Sequence, residues 1–199
     1  MAPFQIEPVE GSLPPEVVAF LDHANVVIDR YFDAKRYARR IGFFPSDYEL
    51  VYRGLLALAG DARGGRQLCE WGSGFGVVAG LAAFCGFEAC GIEIDSELVV
   101  ASRKLLARRH LDVRIMQGNF VPREYTGVER VDDLDSTTFF HGAGGHEVDV
   151  DPDDFDVIFA FPWPTEEEQF CDMFARYAED QAVLMTYSSA DGLRAYRKG

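Results

Sequence analysis

Residues 67–95 read QLCEWGSGFGVVAGLAAFCGFEACGIEID: an apolar strand carrying Glu70, the turn Gly72-Ser73-Gly74-Phe75-Gly76, an apolar helix, and a second apolar strand carrying Glu93. Glycines on alternate positions let a chain turn tightly and leave its N–H groups close to a ligand that no side chain crowds out. The helix then begins at that ligand. Glu93 follows the turn by about twenty residues, the spacing at which a carboxylate at the tip of the neighbouring parallel strand takes both hydroxyls of a ribose. The stretch therefore predicts a nucleoside site, and two details narrow it. A dinucleotide fingerprint, G-x-G-x-x-G, would put its third glycine at position 77, where the chain has Val77. Glu70 stands two residues before the first glycine and would set an ionised carboxylate against a pyrophosphate, whereas a cationic ligand gains from it.

These residues resemble the class I (Rossmann-like) S-adenosylmethionine-dependent methyltransferases, whose first motif is an acidic residue followed by G-x-G-x-G. Glu70-Trp71-Gly72-Ser73-Gly74-Phe75-Gly76 matches it in full. S-adenosyl-L-methionine carries a sulfonium and an ammonium group and no phosphate, in keeping with Glu70. The resemblance implies that the turn and its acid hold the methionine part of the cofactor and that Glu93, with Ile94 beside it, holds the ribose. Adenine is contacted in that family after the third strand, where this chain has Gly118-Asn119-Phe120. Asn119 then stands in place of the usual Asp, and its amide oxygen still accepts from an amino group. The implied cofactor site is Glu70, Gly72, Ser73, Gly74, Gly76, Glu93, Ile94, Asn119 and Phe120.

Around this core the chain alternates strands and helices. The pattern predicts strands at 67–71, 88–94, 113–117, 155–161 and 182–187, with helices at 75–85, 96–110 and 165–178. Such alternation argues for a doubly wound α/β fold with a mostly parallel sheet and right-handed crossovers; the resemblance implies strand order 3-2-1-4-5. Two N-terminal helices precede it. Pro14 and Pro15 open the first, with Val17, Phe20, Leu21, Ala24, Val27, Ile28, Tyr31 and Phe32 at helical spacing. Ser46 and Glu49 form a capping-box pair before Leu50, Val51, Leu55 and Leu58, and Gly60 ends the second. The chain reads as one domain: a helical preface over 1–60, a core over 67–187 and an acidic insert over 121–154. The family normally ends with two further strands, but only a short tail follows Tyr187, with room for one strand near 193–197. The fold is expected to be shortened there, its bare surface covered by the N-terminal helices or by a partner subunit of a homo-oligomer.

Composition agrees with a compact enzyme. The 199 residues suit a single core, and 48% hydrophobic with 26% charged residues indicates neither disorder nor a membrane protein. The apolar run 77–87 is too short to span a bilayer. Residues 1–11 lack the basic start and apolar core of a signal peptide, so a cytoplasmic location is expected. Cys69, Cys85, Cys90 and Cys171 form no CxxC pair, and neither disulfides nor zinc are expected. A net charge of -14 disfavours nucleic acid as a partner. The basic groups at 35–40 and 103–109 read as solvated helix faces, and His23 and His110 as surface or packing residues.

The insert lacks a helical stripe and reads as a long loop or hairpin. Its His141, His146, Glu147, Asp149, Asp151, Asp153 and Asp154 hold oxygens that suit calcium, but Pro152 and the missing glycine and closing glutamate break the calcium-loop pattern. No metal is expected.

Acceptor chemistry belongs beyond the fourth strand, at Phe161-Pro162-Trp163-Pro164. Amino-group methyltransferases often carry Asn/Asp-Pro-Pro-aromatic there; this chain has Phe161 for the polar residue and Trp163 for the second proline. Phe161, Pro162 and Trp163 are the candidate catalytic residues. The carbonyl of Phe161 or Pro162 can align an amine, and the indole of Trp163 either meets a cationic amine or packs under the next helix. The stretch Ile41-Gly42-Phe43-Phe44-Pro45-Ser46-Asp47-Tyr48 resembles the aromatic-Pro-Ser/Thr segment that reaches over the cofactor in some lysine methyltransferases. The expected function is methyl transfer to a small molecule or a protein side chain. A cofactor-binding protein without catalysis and a nicotinamide oxidoreductase are the alternatives.

Overall fold

The computed structural model describes residues 1–34, 45–61, 66–125, 148–163 and 166–199. The pattern of alternating elements is observed: α1 (Pro15–Ala34), α2 (Tyr48–Gly60), β2 (Gln67–Trp71), α3 (Val77–Phe84), β3 (Glu88–Glu93), α4 (Ser96–Ala107), β4 (Arg114–Gln117), β5 (Val157–Ala160), α5 (Glu167–Tyr177), β6 (Val183–Ser188) and β7 (Gly192–Arg197), all preceded by β1 (Ala2–Phe4). They form a seven-stranded sheet ordered β1-β7-β6-β5-β2-β3-β4. The five parallel strands β6-β5-β2-β3-β4 have the expected order, and the chain runs outward in opposite directions from the neighbours β2 and β5. Ligands of such sheets sit outside the carboxyl ends of the strands at that switch point.

Two features depart from the sequence reading. The strand expected near 193–197 is present as β7, antiparallel on β6, but the sheet does not stop there: β1 pairs antiparallel with β7 from Ala2↔Arg197 to Phe4↔Ala195. The outermost strand thus comes from the N-terminus. The capping box at Ser46 does not form either. Asp47 caps α2, its Oδ1 accepting from Leu50 N at 3.0 Å, and Glu49 instead pairs with Arg53 one turn on. Asp47 adds charge to the same geometry, and a carboxylate gains from the positive end of a helix.

The helices divide between two cores. On one face α1, α2, α3 and α4 bury Phe20, Leu55, Leu81 and Leu105 against Leu68, Ile115, Phe159 and Met185 of the sheet. On the other, α5 brings Phe170, Met173 and Phe174 onto Trp71, Ile92, Ile158 and Leu184. The N-terminal helices therefore cover α3 and α4, with α2 also reaching β7, while the outer edge of the sheet is taken by β1. The basic 103–109 group is largely exposed, as expected, with Arg109 half-buried, and two of its arginines also fasten the fold. Arg103 donates to the Ile115 carbonyl, and Arg109 to that of Ala19, tying α4 to β4 and to α1. Among the described residues no helix is long and apolar enough to cross a membrane.

Of the acidic insert, the described part ends in a single 3-10 turn, Pro152–Asp154, capped by Asp151. Residues 126–147 of the long loop or hairpin expected over 121–154, with His141, His146 and Glu147, lie outside the described residues, as do 35–44 and Pro164. Among the described residues no group of three His, Cys, Asp or Glu side chains is arranged to hold a metal.

Candidate active site

The turn after β2 is built by backbone conformation. Gly72, Gly74 and Gly76 have φ of 70°, 52° and 68°, the left-handed region that costs a side-chain-bearing residue roughly 1 kcal/mol or more. Ser73 N donates to the Ile92 carbonyl at 2.9 Å and anchors the turn on β3. That contact needs Gly91 beneath it, because a Cβ there would stand 2.6 Å from Ser73 Cβ and 2.7 Å from its Oγ.

Two buried carboxyls complete the turn. Gly76 is the N-cap of α3 and has no side chain to offer, so Glu70 reaches across from β2 and accepts from Ala79 N at 2.8 Å. Glu93 accepts from Gly74 N at 2.7 Å through one oxygen and from Asp95 N at 2.8 Å through the other. Burial pushes both carboxyls above the usual range, Glu70 to about 8, against the opposing pull of these N–H groups; the charge of Glu93 adds to the rise at Glu70. No cation pairs with Glu70 among the described residues.

Beside Glu70 opens a cavity of about 360 Å³. Glu70, Gly72 and Ser73 of the predicted cofactor residues line it, and so do Phe161, Pro162 and Trp163. The cofactor and acceptor motifs therefore meet in one space. Gly74, Gly76, Glu93, Ile94, Asn119 and Phe120 do not line it. Glu93 is occupied in fastening the glycine turn, although each of its oxygens keeps a second lone pair. Asn119 Oδ1 accepts from Val121 N at 3.0 Å, closing an Asx turn. Phe120 is buried and stacks on Trp71 at 5.3 Å with planes 8° apart.

At the other end, Phe161 packs edge-on against Tyr187 at 5.1 Å. The Trp163 carbonyl accepts from Glu166 N at 2.8 Å, Glu166 being the N-cap of α5. Sequence reasoning missed Glu167 and the β6–β7 turn, Ser188 to Asp191, which also line the cavity. Their signal was positional, since the turn follows the strand next to β5 at the carboxyl edge of the sheet. Tyr48 lines it from the segment singled out as a pocket edge, and its hydroxyl is pushed above the usual range by burial and by Glu70.

No family model matches the sequence, and no curated protein matches it. Solved structures do. An RNA methyltransferase from Salinibacter ruber in complex with S-adenosyl-L-homocysteine aligns with a TM-score of 0.53 at 20% identity, over 78% of this chain and 92% of its own. An O-methyltransferase from Bacillus cereus in complex with the same compound aligns with a TM-score of 0.51 at 14% identity, over 89% of this chain and 68% of its own.

The fold is that of the class I methyltransferases.

Within a methyltransferase fold, the residues around the glycine turn fit the sulfonium cofactor. Glu70 offers a buried carboxyl that any positive charge would ionise, and positive-φ glycines leave the approach free of Cβ atoms. Ser73 Oγ is buried without a hydrogen-bond partner among the described residues, an acceptor or donor that a bound ligand can satisfy.

Proposed function

We propose that this protein is an S-adenosyl-L-methionine-dependent methyltransferase acting on a small molecule or a protein side chain. The observation that carries it is Glu70: a buried carboxyl with a pKa of about 8, at the lip of a glycine turn, facing the cavity that Phe161 to Trp163 close. The cofactor supplies an electrophilic methyl on a sulfonium. What the chain supplies is alignment and exclusion of water: Gly72 and Ser73 on one side, Phe161, Pro162 and Trp163 on the other. The net charge of -14 argues against a polyanionic acceptor; the RNA methyltransferase that shares the fold is too distant to transfer its substrate to this chain.

Calorimetry with S-adenosylmethionine, S-adenosylhomocysteine and NAD tests the reading. Both sulfur compounds bind and NAD does not. Because Glu70 must ionise to meet a cation, affinity for S-adenosylmethionine rises with pH, by up to about tenfold per unit, and levels off near 8, while Glu70→Gln removes the slope. Tighter binding of NAD overturns the proposal. The Phe161 ring, standing where amino-group methyltransferases place an amide or acid, favours a second reading, a cofactor-binding protein that transfers nothing. Formation of S-adenosylhomocysteine from S-adenosylmethionine in the presence of cell extract separates the two.

A further inference from the structure

The cavity end away from the glycine turn is acidic and aromatic. Glu167 and Asp191 line it beside Trp163 and Phe161, and no Lys, Arg or His stands among the described residues that line the cavity. The two carboxylates are fixed from behind by one guanidinium. Arg194 Nη1 lies 2.8 Å from both Glu167 oxygens and Nη2 lies 3.0 Å from Asp191 Oδ2, while the Tyr196 hydroxyl donates to Glu167 at 3.2 Å. Arg194 and Tyr196 do not line the cavity. Two carboxylates against one guanidinium leave a negative charge in excess, turned toward the space where an acceptor must stand. Carboxylate or phosphate acceptors would meet this charge with no cation among the described lining residues to receive them, whereas an ammonium gains both from it and from the face of an indole.

We infer that the methyl acceptor is an alkyl amine, held as its ammonium ion by Trp163, Glu167 and Asp191. This rests on the methyl-transfer reading and adds the acceptor to it. The ammonium gives its proton to solvent as it moves toward Phe161 and Phe159, since apolar surroundings disfavour the charged form. The freed nitrogen lone pair forms the N–C bond while the C–S bond breaks and its electrons stay on sulfur, which leaves as a thioether. The positive charge passes from sulfur to the methylated nitrogen, which faces the same carboxylates. The amine is either a free small molecule or a lysine side chain, and both present the same chemistry.

The test uses the full chain saturated with S-adenosylhomocysteine, titrated with n-butylamine, 1-butanol and butyrate, and with a lysine peptide and its Nε-acetylated form. Butylamine binds about tenfold more tightly than butanol, and butyrate more weakly than either. The lysine peptide exceeding its acetylated form by a similar factor assigns the acceptor to proteins; preference confined to butylamine assigns it to free amines. Glu167→Gln and, independently, Asp191→Asn reduce the amine's advantage over the alcohol severalfold and leave S-adenosylhomocysteine affinity unchanged. Equal affinity for amine and alcohol, or preference for butyrate, overturns the amine inference and leaves the cofactor reading standing. Failure to bind S-adenosylhomocysteine overturns both.

Discussion

At the glycine turn, backbone N–H groups of Gly74, Ala79 and Asp95 are met by the carboxyl groups of Glu70 and Glu93, all within one strand-helix-strand unit. Elsewhere around the same cavity, Tyr48, the pair Trp163 and Glu167, and Asp191 arrive from three segments far apart in the chain, and their side chains face the space. One end is local and depends on main-chain conformation. The other exists only because the sheet order brings β5, β6 and the start of α2 together. A cofactor common to many enzymes is suited to the first kind of construction, and an acceptor that differs between enzymes to the second.

The sharpest way to break this contrast is through pH, because the local end stores two buried acids. Glu70 titrates near 8 in the folded chain against about 4.5 when exposed, so the folded state keeps a proton that the unfolded state has released. Its contribution to stability is full below about 4.5 and is lost as pH rises to about 8. The loss is up to roughly 5 kcal/mol over that window, and Glu93 acts in the same direction. Urea unfolding of the ligand-free protein should show this decline, and Glu70→Gln should flatten it. Parallel profiles for the two proteins would mean that Glu70 is already ionised and paired.

Next in size is Gly91→Ala. The added methyl would meet Ser73 at 2.6 Å and Ile115 Cδ1 at 3.0 Å in a central strand, and overpacking of this kind costs about 1–3 kcal/mol. Ser73→Gly in the same chain should restore part of the loss, since it removes the nearest atoms. No rescue would place the strain elsewhere than under the glycine turn.

Glu93→Ala separates two roles for one carboxylate. Losing the bonds from Gly74 and Asp95 should cost about 2 kcal/mol in stability, because two N–H groups lose a charged acceptor. Cofactor affinity should fall by about 1–3 kcal/mol if the remaining lone pairs take the ribose hydroxyls. A loss of stability with unchanged affinity would make Glu93 a fastener of the turn and nothing more.

The contrast also explains what could be read from residues alone. Gly72, Gly74 and Gly76 were legible because positive φ selects glycine, and Glu70 and Glu93 because strand and helix lengths fix their spacing. That Glu93 would spend both oxygens on the turn was not legible, since spacing places a carboxylate without saying which donors reach it first. Glu167 and Asp191 carry no local signal, as an acid in the first turn of a helix and an Asp before a glycine turn occur wherever helices start and hairpins turn. β1 spans three residues, Ala2–Phe4, too few for any periodicity, and its pairing depends on β7 being there to receive it.

The smallest effect concerns the edge of the acceptor wall. Ser46 and Asp47 are adjacent, both able to cap a helix, and the sequence pattern favoured Ser46 through its Glu49 partner. In the fold Asp47 bonds Leu50 N, while Ser46 lines the cavity. Asp47→Ala should therefore cost about 1 kcal/mol, the usual worth of a cap, and Ser46→Ala less than about 0.5 kcal/mol. The two should also differ in ligand response: Asp47→Ala loosens the turn that carries Tyr48 and lowers amine binding slightly, whereas Ser46→Ala changes only a lining atom. If the stability costs were reversed, the helix would start one residue earlier, and Tyr48 would be displaced along the wall by one residue's rise, about 1.5 Å. A wall assembled from distant segments responds to such a shift. The glycine turn, closed on itself by Glu70 and Glu93, should not.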